Sequence, residues 1–310
     1  MSERKHSIVF MGTPEFAVPA LEKIHSEFDI KAVVTVPDKP RGRGRKPQAP
    51  AVKQKAVELG LEVLQPEKLK DPEFVERLRE IAPDIICVIA FRILPKEVYT
   101  IPALGSFNVH GSLLPAYRGA APINWAIING EKKTGLTSFL LKEKVDTGDI
   151  LLRKEIAIPD GCTAGGLHDM MMAPAADLAA DTTRLLINGN YKTLKQDDSQ
   201  ASPAPKIFRE QCEINWQMPA EELRNFIHGV SPVPGAWTVL NGAVLKVFRV
   251  SLCPSIDKQP GEFTCLNNRL LVQCADKSLA LDLIKPEGRK SMPAGDFLCG
   301  YRGEPNGKMG

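Results

Sequence analysis

The residues with the most chemical potential lie in Ser106–Pro122, SFNVHGSLLPAYRGAAP. Side chains alternate along a strand, so Asn108 and His110 share a face, and Gly111 closes the strand just beyond them. In an open α/β sheet, sites form beyond the carboxyl ends of the strands. An amide and an imidazole placed there can reach one substrate atom together. Asp146 sits further on in VDTGD, a turn between two strand-like runs, and can approach the same crevice. No Ser or Cys nucleophile accompanies the three. The set therefore suits direct transfer: Asn108 donating to a developing oxyanion, His110 stabilising charge or shuttling a proton, and Asp146 orienting the imidazole. Taken singly, each also reads as an ordinary strand-end or turn residue, and spacing alone does not name the reaction.

Metal chemistry finds little support. The seven cysteines are odd in number, form no CxxC pair and imply neither a disulfide frame nor a zinc site. The five histidines never fall at ligand spacing. GRGRK lacks the spacing of a phosphate-binding P-loop, and no GxGxxG occurs. A net charge of +3 excludes no class of partner, but its distribution is uneven. Lys39, Arg41, Arg43, Arg45, Lys46, Lys53 and Lys55 follow one another with no intervening acid, as a phosphate-contacting patch or a solvated loop would. The KPRGRGRK stretch, with two glycines and two prolines, is expected to form no helix or strand of its own and to be mobile until a polyanion orders it. MSERKHSIVFMG lacks the apolar core of a signal peptide, and no apolar run is long enough for a bilayer, so a cytoplasmic location is expected.

The elements that must hold the three polar residues alternate along the first two-thirds of the chain. Ser7–Met11, Ile30–Val36, Leu61–Leu64, Asp84–Ala90 and Ser106–Val109 read as strands; Pro14–Glu27, Pro50–Leu59 and Asp71–Ile81 read as helices. The continuous apolar run of Asp84–Ala90 marks a strand covered on both faces. This predicts an α/β fold with a doubly wound, mostly parallel sheet. Gly135–Leu141 and Ile150–Ile156 add strands around the DTGD turn, and Thr163–Leu186 a long helix. The polar, Pro- and Ser-rich run through Lys206 reads as a linker, after which short strands separated by Gly and Asn turns predict a small β-barrel. The expected division is a catalytic domain over 1–189, a linker over 190–206 and a second domain over 207–310.

NVHGSLLPAYRGAAPINW resembles the signature of the folate-dependent formyltransferases. The resemblance implies that Asn108, His110 and Asp146 are catalytic, and that Ser112, Leu113, Leu114 and Pro115 line a tetrahydrofolate site. FRILP, with Arg92, Ile93 and Leu94, is similar to the segment that holds the pterin. The two segments are expected as opposite walls of one pocket. The implied fold is a Rossmann-like doubly wound sheet followed by a small OB-like β-barrel.

MGTPEFAVPAL, PDKPRGRGRK, DTGD, EINW, SPVPGAW and PEGRKSM with DFLCGYR resemble the members of the family that act on initiator tRNA. This implies 10-formyltetrahydrofolate as co-substrate, no metal, and an aminoacylated (methionyl) initiator tRNA as acceptor. The products would be formylmethionyl-tRNA, for translation initiation, and tetrahydrofolate. It further implies RNA contacts at Arg41, Arg43, Arg45, Lys46 and Lys206, a monomer, and no membrane partner. The alternative acceptor is a sugar-nucleotide amine; a reading from another class is a non-catalytic binding protein on the same scaffold. Two positions depart from the pattern. Phe91-Arg92 stands where many members have Tyr-Gly, altering the pterin pocket, and Val233 stands where many have Trp, with an expected effect on barrel packing.

Overall fold

A computed structural model describes residues 6–41 and 46–310. In chain order the first elements are β1 (Ser7–Gly12), α1 (Val18–Glu27), β2 (Asp29–Val34), β3 (Lys39–Arg41), β4 (Lys46–Gln48), α2 (Ala51–Glu58), β5 (Val63–Leu64), α3 (Pro72–Ile81), β6 (Ile85–Ile89), α4 (Lys96–Tyr99) and β7 (Ser106–His110). They are followed by β8 (Arg118–Gly119), α5 (Pro122–Ile128), β9 (Lys133–Leu140), β10 (Ile150–Ala157) and the 25-residue α6 (Ala164–Asn188). The rest comprises β11 (Pro203–Ala204), α7 (Ala220–Gly229), β12 (Ala236–Leu240), β13 (Ala243–Cys253), β14 (Glu262–Leu266), β15 (Arg269–Gln273), β16 (Ser278–Pro286), β17 (Met292–Pro293), α8 (Ala294–Cys299) and β18 (Asn306–Lys308).

Two compact units result, both discontinuous in sequence. The first comprises 1–119, 135–156 and 169–203; the second comprises 120–134, 157–168 and 204–310. This division differs from the expected boundaries at 189 and 206. The expected linker is no free tether over its first part. Leu194 and Ile150 exchange backbone hydrogen bonds of 2.9 and 2.8 Å, and Gln196 is buried.

The first unit is built on a seven-stranded sheet in the order β10-β9-β7-β6-β1-β2-β5. β5, β2, β1, β6 and β7 run parallel, and β9 joins β7 antiparallel. Ile8–Met11 and Ile85–Ile89 are buried throughout, as apolar strands covered on both faces must be. On one face Val9, Met11, Ile86 and Val88 pack with Phe74, Val75 and Leu78. Those three come from α3, whose first turn is capped by Asp71 accepting from the Glu73 N–H at 3.1 Å, and which stops at Ala82 in the left-handed region.

One expectation fails in the basic stretch. β3 and β4 pair as a short antiparallel hairpin, with Lys39 opposite Gln48 and Arg41 opposite Lys46. Prolines fit here because both strands of a two-stranded ribbon are edges, where a missing N–H need not break a ladder. Arg43 and Arg45 lie outside the described residues.

The second unit is a curled antiparallel half-barrel in the order β12-β13-β16-β15-β14-β18. Gly310, two residues past β18, donates to the Val239 carbonyl of β12 at 3.2 Å, so the two edges of the curl meet there. Leu223 and Ile227 of α7 join Val247, Val250, Leu279 and Ile284 in its core. Val233 is 76% exposed, so its departure from Trp does not act through barrel packing.

Candidate active site

β7 lies between β6 and β9, with Asn108 opposite Val88 on one side and opposite Phe139 on the other. Strand alternation buries Phe107 and Val109 on one face and sends Asn108 and His110 to the other. Asn108 is half-buried, and its carboxamide makes no hydrogen bond among the described residues. That leaves two donors and an acceptor for a ligand.

His110 is 6% exposed. Its Nε2 lies 2.8 Å from the Tyr117 carbonyl oxygen. A carbonyl only accepts, so that contact requires the hydrogen on Nε2. Nδ1 then faces the Asp146 carboxylate, with Oδ2 at 3.8 Å, beyond hydrogen-bond length but within ion-pair range. The same Oδ2 accepts from the Gly119 N–H at 2.9 Å. The carboxylate is thus fixed by the backbone and directed along the imidazole edge.

Two left-handed residues create this arrangement. Tyr117 has φ 61° and Asp146 φ 54°. Such conformations are costly for a bulky residue and persist where the surroundings over-determine them. The Tyr117 N–H donates to Ser202 Oγ at 2.9 Å while its carbonyl meets His110. After Asp146 the chain turns tightly at Gly148, where a Cβ would fall 1.6 Å from the Leu140 carbonyl oxygen, so only glycine fits. Gln196 holds this turn from the far side: its Nε2 donates to the carbonyls of Asp146 at 2.9 Å and Gly148 at 2.8 Å.

The 112–115 segment leaves β7 alongside Thr137 of β9. Thr137 Oγ1 donates to the Ser112 carbonyl at 2.7 Å and accepts from the Leu114 N–H at 3.0 Å. Ser112 Oγ donates to the Ala116 carbonyl at 2.6 Å. Ser112 and Pro115 are buried and Leu113 half-buried; Leu114, 1% exposed, packs with Phe139 and Ile150. In the other segment, Leu94 belongs to the β1–β6–α3 core, whereas Ile93 is 73% exposed. Leu141 packs against both the Leu94 and the Leu114 clusters. Arg92 donates to the carbonyls of Glu67 and Pro66, both at 2.9 Å, and stacks 5.1 Å from the Phe91 ring centroid. Burial pushes its pKa below the usual arginine value. Arg92 thus clamps the 66–67 turn, a role that glycine at that place could not perform.

The structure brings Asn108, His110 and Asp146 into one unit. It places Arg41 and Lys46 on the hairpin through their backbones, and an exposed Lys206 in the second unit, 5.2 Å from the Phe208 ring centroid. Sequence reasoning passed over Tyr117, Gly119, Thr137 and Gln196. Thr137 had a signal, a hydroxyl inside an apolar strand; Gln196 had none. Among the described residues, no three His, Cys, Asp or Glu side chains gather as a metal site, and no helix is long and apolar enough to cross a membrane.

Comparison with known proteins adds three findings. The formyl transferase family profile matches residues 5–180, and that of the formyl transferase C-terminal domain matches 206–302. The chain is 43% identical to a methionyl-tRNA formyltransferase of Ruminiclostridium cellulolyticum over 98% of this chain and 99% of that one. It is 46% identical to one of Chlorobium limicola over 96% of each. In fold it is similar to the crystal structure of an N-formyltransferase of Helicobacter canadensis in complex with folinic acid and dTDP-3-aminofucose. That match has a TM-score of 0.68 at 21% identity, covering 89% of this chain and 99% of that one.

Proposed function

Given that the chain belongs to the formyl transferase family, in its methionyl-tRNA formyltransferase branch, we propose that Asn108, His110 and Asp146 move a formyl group from 10-formyltetrahydrofolate to the amino group of methionyl initiator tRNA. The observation that carries the assignment is the shared face of Asn108 and His110 at the end of β7, with Asp146 3.8 Å from His110 Nδ1.

The amine attacks the formyl carbon as its free base. A C–N bond forms, the carbonyl becomes a tetrahedral oxyanion, and the bond to folate N10 then breaks. One proton leaves the amine and one reaches N10. The uncommitted Asn108 amide donates to the oxyanion. His110, its Nε2 hydrogen committed to Tyr117, offers Nδ1 for the proton, and a proton there faces the Asp146 carboxylate.

The folate meets the backbone of 112–115 and 92–95 more than their side chains, since Leu94 and Leu114 are core residues. Arg41, Arg43, Arg45 and Lys46 contact tRNA phosphates near the first unit's crevice, and Lys206 does so from the second unit. The first unit carries the chemistry and the second binds tRNA. The protein acts as a cytoplasmic monomer.

The test is a transfer assay with radiolabelled formyl donor and three acceptors: methionyl initiator tRNA, the same tRNA uncharged, and an amino-sugar nucleotide. Only the first should be formylated. Formylation of the sugar nucleotide in preference to the tRNA would replace this reading with the sugar one.

A further inference from the structure

We propose that Gln196 is a positioning residue for the transfer, acting through Asp146. The inference rests on the reading of Asp146 given above.

The Gln196 carboxamide is fully used. Its two N–H donors go to the Asp146 and Gly148 carbonyls at 2.9 and 2.8 Å. Its oxygen accepts from Arg118 Nε at 3.0 Å and Nη2 at 2.7 Å, and Nη2 also reaches Asp198 Oδ1 at 2.8 Å. A primary amide offers two donors and an acceptor with two lone pairs, so no capacity remains. The side chain is buried, and a partner lost there is not replaced by bulk water.

The two groups it joins are the two sides of the His110 site. Arg118 lies between Tyr117, whose carbonyl receives His110 Nε2, and Gly119, whose N–H holds the Asp146 carboxylate. Asp146 and Gly148 form the tight turn. One side chain therefore sets the distance between the loop that fixes the imidazole and the turn that carries the carboxylate. Ser202 pins the first loop as well, accepting from the Tyr117 N–H with Oγ and from the Arg118 N–H with its carbonyl, both at 2.9 Å. The 196–202 stretch is a strap across the catalytic loops, and Gln196 is its contact with the carboxylate.

Gln196→Met keeps the length of the side chain and removes all four hydrogen bonds. It should lower kcat by roughly tenfold to a hundredfold, the scale of a misplacement on the order of 1 Å. The KM for 10-formyltetrahydrofolate and for methionyl-tRNA should stay within about twofold, since no ligand contact is lost. In a double-mutant cycle with Asp146→Ala, the loss from Gln196→Met should largely disappear, because residues acting through one another are not additive. A purely structural role would give additive losses and would overturn the proposal, as would a folded Gln196→Met enzyme with parental kcat. If Gln196→Met does not fold, Gln196→Glu carries the same test. Its carboxylate still accepts from Arg118 but turns an oxygen towards two carbonyls. A parent enzyme that formylates a different amine rejects the tRNA reading alone, and the cycle is then measured on that amine. A parent that formylates no amine rejects both.

Discussion

His110 and His228 are buried to nearly the same degree, 6% and 3% exposed, yet their surroundings are opposite. His110 presents Nε2 to a backbone carbonyl and Nδ1 to the Asp146 carboxylate, so oxygens flank both nitrogens. His228, on α7, accepts the Val250 N–H at Nε2 with a 3.1 Å contact. Burial first, then the nearby Arg224 and Arg249 cations, push its pKa down to about 4. Burial does not separate the two histidines; their charged surroundings do. A proton on His110 meets a carboxylate, whereas a proton on His228 would meet Arg224 and Arg249, which Asp160 offsets only in part.

The largest effect that could break this contrast is on catalysis. Asn108→Ala should lower kcat by on the order of 3 kcal/mol, roughly a hundredfold, as loss of an oxyanion donor typically does. Circular dichroism should remain unchanged, because the Asn108 carboxamide makes no hydrogen bond among the described residues. The check is single-turnover transfer from 10-formyltetrahydrofolate.

Of similar size, but spread over pH, is the contribution of His228 to stability. An unfolded chain takes up a proton at this residue near pH 6.5, while the folded unit resists until about pH 4. The unfolded state therefore binds more protons between those values, and stability falls as pH drops through the window. The full difference is on the order of 3 kcal/mol. His228→Gln should flatten the acid branch of a urea-midpoint curve between pH 6.5 and 4; an unchanged branch would remove His228 as the cause.

A smaller effect is expected at Thr137, which holds the 112–115 segment by two hydrogen bonds. Thr137→Val keeps the strand and leaves a buried N–H without its acceptor, costing about 1–3 kcal/mol. Thermal unfolding should show that loss, and the KM for the folate should rise more than that for tRNA. The smallest and most distributed effect belongs to the basic stretch KPRGRGRK. Replacing Arg41, Arg43 and Arg45 together with Ala should weaken tRNA binding and flatten its log–log salt dependence by roughly 0.7–0.9 per lost phosphate contact. Unchanged affinity across salt would exclude the basic stretch from the interface.

The shared face of Asn108 and His110 was legible because strand alternation places them together whatever else the fold does. The parallel sheet was legible for a similar reason, in apolar runs such as Ile85–Ile89 that permit no exposed face. The supports of the site were not. His110 rests on the Tyr117 carbonyl and Asp146 on the Gly119 N–H, and backbone groups carry no residue identity. Gln196 meets Arg118 across 78 positions, from a polar stretch whose composition matches that of a tether. Leu94 and Leu114 show a further limit. Their types suit a pterin pocket as well as a core, and only tertiary packing turns their side chains inward.

The contrast between the two histidines is tested most directly by measuring kcat for His110→Gln and His228→Gln in parallel with the parent. His110→Gln should remain folded and lose roughly a hundredfold or more in kcat, while His228→Gln should keep kcat within about twofold at pH 7, where the parent residue is already neutral. A folded His110→Gln enzyme with near-parental kcat, or a folded His228→Gln enzyme with the larger loss, would contradict the account.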